Sequence, residues 1–210
     1  IIPTIFFHGY AGGRGSFSSM LTRLENNHDA HLGAVLKVDP QGNVYPESWG
    51  EFQGKDMVQV LFEDSKNNEW NQAQWVENVL TYLSNKGIKK VNLVGHSMGG
   101  IDIVRFLLTF PAPSLKINKI VTMGAPFNEF EVLNDGETME QMLARGPENE
   151  SDRYSQLSPL MENFPKEIPW LNIAGLREEN NPNDGDGTVP LGSAEALTAE
   201  ATKNQLLYEN

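Results

Sequence analysis

Cysteine is absent from the 210 residues, which excludes disulfides, thiolate zinc sites and cysteine nucleophiles together. Positive charge is scarce: 16 Lys and Arg stand against 28 Asp and Glu, a net charge of −12. Such a surface repels nucleic acid and anionic headgroups, so no nucleic-acid partner is expected. The one local basic cluster, Lys86, Lys89 and Lys90, precedes a strand-like run and reads as a solvated helix end. Long apolar runs are missing too, and no stretch approaches the roughly 18–20 residues of a transmembrane helix. No basic segment leads into an apolar one, so no signal peptide is visible. The chain opens on a strand-like run without Met, so it is expected to be a fragment, with an upstream export signal or anchor left open. Histidine is sparse: His8, His28, His31 and His96 are all four, and none follows residue 96.

What is present suits one globular domain over residues 1–210, with 39% hydrophobic residues to build a core. Strand-like runs fall at 1–7, 34–38, 43–49, 57–63, 91–94, 119–123 and 170–174. Helical spacing predicts a helix from Ser16 to about Asn26, with Phe17, Met20, Leu21 and Leu24 on one face. A second runs from an Asn71 cap to about Asn85, through Val76, Val79, Leu80 and Leu83. A third carries Ile101, Val104, Leu107 and Leu108 and stops at Pro111. Strands alternating with such helices predict an α/β fold with a doubly wound, mostly parallel sheet and helices on both faces. Residues 125–167 carry no strand signal. They read as a helical insertion over the carboxyl end of the sheet, where such folds bind ligands.

The chemistry concentrates at Gly95-His96-Ser97-Met98-Gly99. In G-x-S-x-G the serine occupies a strained strand-to-helix turn, and glycines two before and two after avoid collision between the converging elements. An apolar strand before it and an amphipathic helix after it give this pentapeptide the required context. Ser97 is therefore the expected nucleophile. The Met98 N–H, at a helix N-terminus, is one expected oxyanion donor. The second is the Tyr10 N–H, in the glycine-rich loop His8-Gly9-Tyr10-Ala11-Gly12-Gly13, where Gly9 lets the backbone approach. His8 reads as a structural histidine that holds the loop, with a catalytic base as the alternative. His96 should point away from Ser97.

These motifs, with Met123-Gly124-Ala125-Pro126-Phe127-Asn128 and Asp186-Gly187-Thr188-Val189-Pro190, resemble the lipase/esterase branch of the α/β-hydrolases. The likeness is greatest to the uncharacterised cell-surface hydrolases of Gram-positive bacteria. That resemblance implies the α/β-hydrolase fold, a cell-surface or extracellular setting (a cytoplasmic one being the alternative), and a triad in the order Ser, Asp, His. Asp186 matches the family's acid and Asp184 is the alternative. A calcium loop competes weakly for this segment, because glycine is missing at the sixth position. The resemblance places the base in a loop after the final strand, before a Leu-x-Glu motif. Aligning Leu207-Tyr208-Glu209 on that motif puts Asn204 where histidine is expected. An amide cannot take a proton from serine at neutral pH.

Two explanations stand: a true His-to-Asn departure, or residues missing near Leu197 and Thr198 and after Asn210. The expected function is hydrolysis of a small-molecule or lipid-like carboxylic ester through an acyl-enzyme, with no cofactor and no metal. A catalytically impaired binding protein and an acyltransferase are the alternatives. Met139 and Met142 read equally as cover for an acyl group or as plain core.

Overall fold

The computed structural model describes residues 1–208 and divides into two compact units, Ile1–Ile120 and Val121–Asn210. In the first unit the strands are β1 (Thr4–Phe7), β2 (His31–Val38), β3 (Val44–Trp49), β4 (Asp56–Phe62), β5 (Lys90–His96) and the start of β6 (Lys116–Met123). Their order is β3-β2-β4-β1-β5-β6. β1 runs parallel to both β4 and β5, and β2 runs parallel to β4; β3 is antiparallel to β2. β4 is buried along its whole length, as a strand covered on both faces must be. β3 is exposed along nearly all its length and tolerates Pro46, which lies beside a register shift between Val35 and Leu36. Such an edge strand has no ladder bond to lose there.

Three helices belong to this unit: α1 (Arg14–Asn26), α2 (Glu69–Asn85) and α3 (Met98–Thr109). α1 starts two residues before Ser16, with Gly13 at the cap. Ser16 still serves that end, its Oγ accepting from the Gly13 N–H at 3.1 Å. α2 likewise starts earlier than expected, because Asn68 rather than Asn71 is the cap; its side chain accepts the Asn71 N–H at 2.8 Å. α3 is buried on almost every side. It packs with α2 around Val76, Val79, Leu80, Ile101, Val104 and Phe106, all fully buried.

The second unit holds the end of β6, then β7 (Trp170–Leu176) and β8 (Lys203–Tyr208), in that order, with β7 and β8 parallel. No strand lies between β6 and β7 among the described residues. Two short helices, α4 (Met139–Arg145) and α5 (Asp152–Leu157), and a 3-10 turn at Ser158–Asn163 fill that interval. Trp170 is the hub, contacted edge-on by Phe127 and in a tilted stack by Phe164. Its indole N–H donates to Thr122 Oγ1 at 2.8 Å, and Thr122 in turn donates to Asn172 Oδ1 at 2.8 Å. A polar chain thus crosses this core with its partners supplied.

Between β7 and β8 the chain passes through a loop, the four-residue α6 (Leu191–Ala194) and a 3-10 turn at Thr198–Glu200. This crossover runs from Arg177, directly after β7, to Thr202, longer than the dozen or so residues that a parallel connection needs, and it contains Leu197 and Thr198, where the sequence suggested missing residues. Both of those residues are buried.

Candidate active site

Ser97 links the end of β5 to the start of α3 with φ 54° and ψ −124°, a region an L-residue enters only under strain. Two glycines make the turn possible. A Cβ on Gly95 would lie 2.5 Å from the Gly99 carbonyl, and one on Gly99 would lie 2.3 Å from the Phe7 oxygen. A third backs the serine itself: a Cβ on Gly9 would fall 2.8 Å from Ser97 Cβ and 3.3 Å from its Oγ. The loop after β1 therefore touches the serine through bare backbone.

That loop is pinned from several directions. The Phe62 N–H donates to His8 Nε2 at 2.9 Å, which leaves the proton on Nδ1 to be donated to the Gly9 carbonyl at 2.9 Å. With both nitrogens engaged and the ring buried, His8 is pushed below the usual histidine pKa by desolvation. It is neutral, and it has no nitrogen left to take a proton from Ser97. Gly12 N–H closes the loop onto Gly9 O at 3.0 Å, and Ala11 N–H donates to Ser65 O at 2.9 Å. The Tyr10 and Met98 N–H groups make no turn or loop hydrogen bond among the described residues. Met98 is the first residue of α3, where the helix offers no internal acceptor and the dipole favours negative charge. The Tyr10 side chain is exposed.

The other histidines lie elsewhere. His96 stacks edge-on against Phe17 at 6.4 Å. His31 opens β2, 3.8 Å from Glu25, and His28 lies in the turn just before it. Because β2, β4, β1 and β5 are mutually parallel, the start of β2 and the end of β5 lie at opposite ends of that sheet.

In the second unit the segment after β7 separates its two candidate acids. Asp184 is clamped by Arg177 through bonds of 2.8 and 2.7 Å. That bond holds its carboxyl below the usual range. Asp186 is half-buried, and its Oδ1 accepts the N–H groups of Thr188 and Val189 at 2.9 and 2.7 Å. Its Oδ2 accepts no hydrogen bond among the described residues and lies 3.1 Å from where a Gly124 Cβ would stand. Gly175 makes room for the same side chain, since a Cβ there would meet Asp186 Cβ at 2.7 Å. One oxygen is thus fixed and the other is open.

Asn204 lies not in a loop after the last strand but inside β8, opposite Asn172. Its Oδ1 accepts from Asn172 Nδ2 at 3.1 Å and its Nδ2 donates to Thr198 O at 3.4 Å. Gly175, against which Asp186 packs, is three ladder positions further along β7, about 10 Å at strand rise. The strand register, not a loop, therefore accounts for Asn204. The Leu207-Tyr208-Glu209 match to the Leu-x-Glu motif ends at Glu209, outside the described residues.

Met142 is buried, and Met139 packs on the Ala174, Leu176, Val189, Leu191 and Ala194 cluster. Both are core. Phe130 and Leu143 in the same interval are exposed. Among the described residues no group of three or more His, Cys, Asp or Glu is placed to hold a metal ion, and no helix is long and apolar enough to cross a membrane.

Comparison with known proteins agrees with this architecture. The family model described as an alpha/beta hydrolase of unknown function (DUF915) matches residues 1–208. The solved structure of the lin2722 product of Listeria innocua superposes with a TM-score of 0.78 at 22% identity, covering 99% of this chain and 84% of that one. The mature form of a Bacillus licheniformis lipase gives a TM-score of 0.64 at 15% identity, covering 99% and 84%. A GPI inositol-deacylase of Kluyveromyces lactis is 26% identical over 146 residues, 66% of this chain but 15% of that protein. The chain thus spans a small part of the curated relative it matches.

Proposed function

The chain belongs to this alpha/beta-hydrolase family of unknown function, and from that premise we propose that it cleaves carboxylic esters through an acyl-enzyme on Ser97. The observation that carries the proposal is the strained Ser97 turn at the head of α3, backed by Gly9. Ser97 Oγ attacks the ester carbonyl as a base oriented by Asp186 takes its proton, the Tyr10 and Met98 N–H groups receive the oxyanion, and the C–O bond breaks to release the alcohol, which takes up that proton. Water then attacks the acyl-enzyme, which releases the carboxylic acid and returns the proton to the serine. Asp186 is the acid in this scheme, since its open oxygen can accept a base's N–H and hold its tautomer, whereas Asp184 is committed to Arg177. The likeness to a lipase and to a GPI inositol-deacylase favours a lipid-like ester.

The placement of the four histidines favours a second possibility. His8 is used up in the loop, His96 packs edge-on against Phe17, and His28 and His31 lie at the far end of the first unit's sheet. A protein with this site and no base would bind esters without turning them over. An acyl acceptor other than water would use the same serine.

A fluorophosphonate probe, with p-nitrophenyl esters of graded acyl length, separates these outcomes. Labelling and turnover abolished by Ser97→Ala support the hydrolase. Ester binding with neither labelling nor turnover supports the binding protein. Labelling that survives Ser97→Ala refutes the assignment of the serine.

A further inference from the structure

α2 and α3 pack as apolar core helices except at one end, where four polar side chains are buried together. Glu69, Gln72, Asp102 and Arg105 are exposed by 4%, 1%, 0% and 7%. The Arg105 guanidinium donates to Glu69 Oε1 through Nε at 2.9 Å and also through Nη2. It lies 4.7 Å from the centre of the Trp70 ring, which shields it from solvent. The Gln72 amide faces the Asp102 carboxylate. With its nitrogen turned toward Asp102 it donates at 2.7 Å to one oxygen and 3.2 Å to the other. The opposite orientation gains only a 3.4 Å contact to Asn67 O, and it would set two acceptors face to face. The charge-assisted orientation is the stronger.

Burying such groups between helices is costly compared with packing leucines. Their position points to what they do. Asp102 and Arg105 lie within the first two turns of α3, whose first turn carries the Met98 N–H. Glu69 and Gln72 lie in the first turn of α2, immediately after the segment 63–68. That segment is braced by Asn67, which donates to Asp64 Oδ2 at 2.7 Å and accepts from Asn68 N–H at 2.8 Å. It presents Ser65 O to the Ala11 N–H at 2.9 Å. Ala11 itself is held at φ 56°. A continuous set of contacts thus runs from the nucleophile helix, through the buried pairs and the 63–68 segment, to the residue after Tyr10.

We infer that Asp102–Gln72 and Arg105–Glu69 are positioning pairs: they fix α3 against the 63–68 segment and so hold the Tyr10 and Met98 N–H groups in one geometry beside Ser97. The inference rests on the proposed role of those amides. It also makes a mechanical claim of its own, that breaking the pairs loosens the Ala11–Ser65 bond. Neither residue pair acts on a substrate directly.

The test uses the whole protein with two changes: Asp102→Asn, which keeps the shape, and the double replacement Gln72→Leu with Asp102→Leu, which substitutes an apolar pair of similar volume. Thr138→Ala, which removes the cap of α4, is the control for general loss of stability. Hydrogen exchange at the Ala11 amide is measured in each, together with kcat and KM for an ester and its thionoester, whose sulfur is a poor hydrogen-bond acceptor. In the folded variants Ala11 should exchange about tenfold faster, as local opening becomes easier. The ester kcat should fall about tenfold at unchanged KM, as expected of displaced donors. The ester-to-thionoester rate ratio should fall with it, and the Thr138→Ala control should leave all three at the wild-type value.

Wild-type Ala11 exchange in a folded double variant overturns the inference. If the double variant does not fold, Asp102→Asn decides by the same exchange measurement. Absence of turnover and Ser97 labelling in the wild type overturns the proposed function instead, and the exchange result still decides the mechanical claim.

Discussion

A backbone atom 2.3 Å from where a Gly99 side chain would begin leaves no soft neighbour to move aside. Gly99→Ala should therefore destabilise the protein by about 3 kcal/mol, the upper part of the overpacking range, read as a lower urea midpoint at unchanged slope. Two buried titratable groups make opposite predictions about acid. His8 is neutral in the fold with its pKa lowered by desolvation from 6.5. The unfolded chain binds the proton more readily, so this contribution to stability falls away as pH drops below about 6.5. Glu195 is 9% exposed, and burial raises its pKa from 4.5. The folded state binds its proton more readily, so stability gains as pH falls from neutral through the raised value and levels off below 4.5. Denaturant midpoints of Glu195→Gln should exceed wild type at pH 7 and converge with it on acidification. His8→Gln should flatten the loss below about pH 6.5; a slope unchanged by this replacement would argue against the buried neutral ring.

At the scale of elements, strands β1 to β7 and three long helices were legible because their apolar spacing is strong, whereas β8, exposed along nearly all its length, was not. Helix starts were less so. Gly13 and Asn68 cap α1 and α2, and serine and asparagine inside a first turn resemble caps themselves. The Ser97 turn and the Gly9 loop left their mark in the glycine positions, although two of those glycines answer to residues far away in the sequence, Gly99 to the Phe7 oxygen and Gly9 to Ser97. Asn204 could not, since a six-residue strand and a loop look alike in Lys203-Asn204-Gln205, and only pairing with Asn172 distinguishes them. The buried quartet between α2 and α3 left one overlooked trace. Asp102 and Arg105 are charged residues three apart in a helix otherwise built for burial. α4 is held by a reciprocal cap, Thr138 with Gln141. Thr138→Ala should cost about 1 kcal/mol, seen as a lower thermal midpoint; no change would mean that packing alone maintains α4.

For the whole molecule the governing quantity is the net charge of −12. Self-repulsion at this charge opposes compaction and is screened as the Debye length shrinks from about 30 Å at ~0.01 M salt to about 8 Å at ~0.15 M. The thermal midpoint should rise across that range of sodium chloride. The same charge should keep the protein from sedimenting with vesicles rich in anionic lipid, while zwitterionic vesicles impose no such penalty. Sedimentation with anionic vesicles at low salt would show that local patches override the net charge.

The main chain that backs Ser97 has a consequence for how such a protein can diversify. Gly9, Gly95 and Gly99 bound the serine with peptide atoms, and peptide atoms are the same in every lineage. Mutation has nothing to adjust there except the loss of activity. A library randomised at these three positions should return glycine alone among its active members. Any change in what the surroundings of Ser97 accept must then come from side chains rather than from this stretch of main chain.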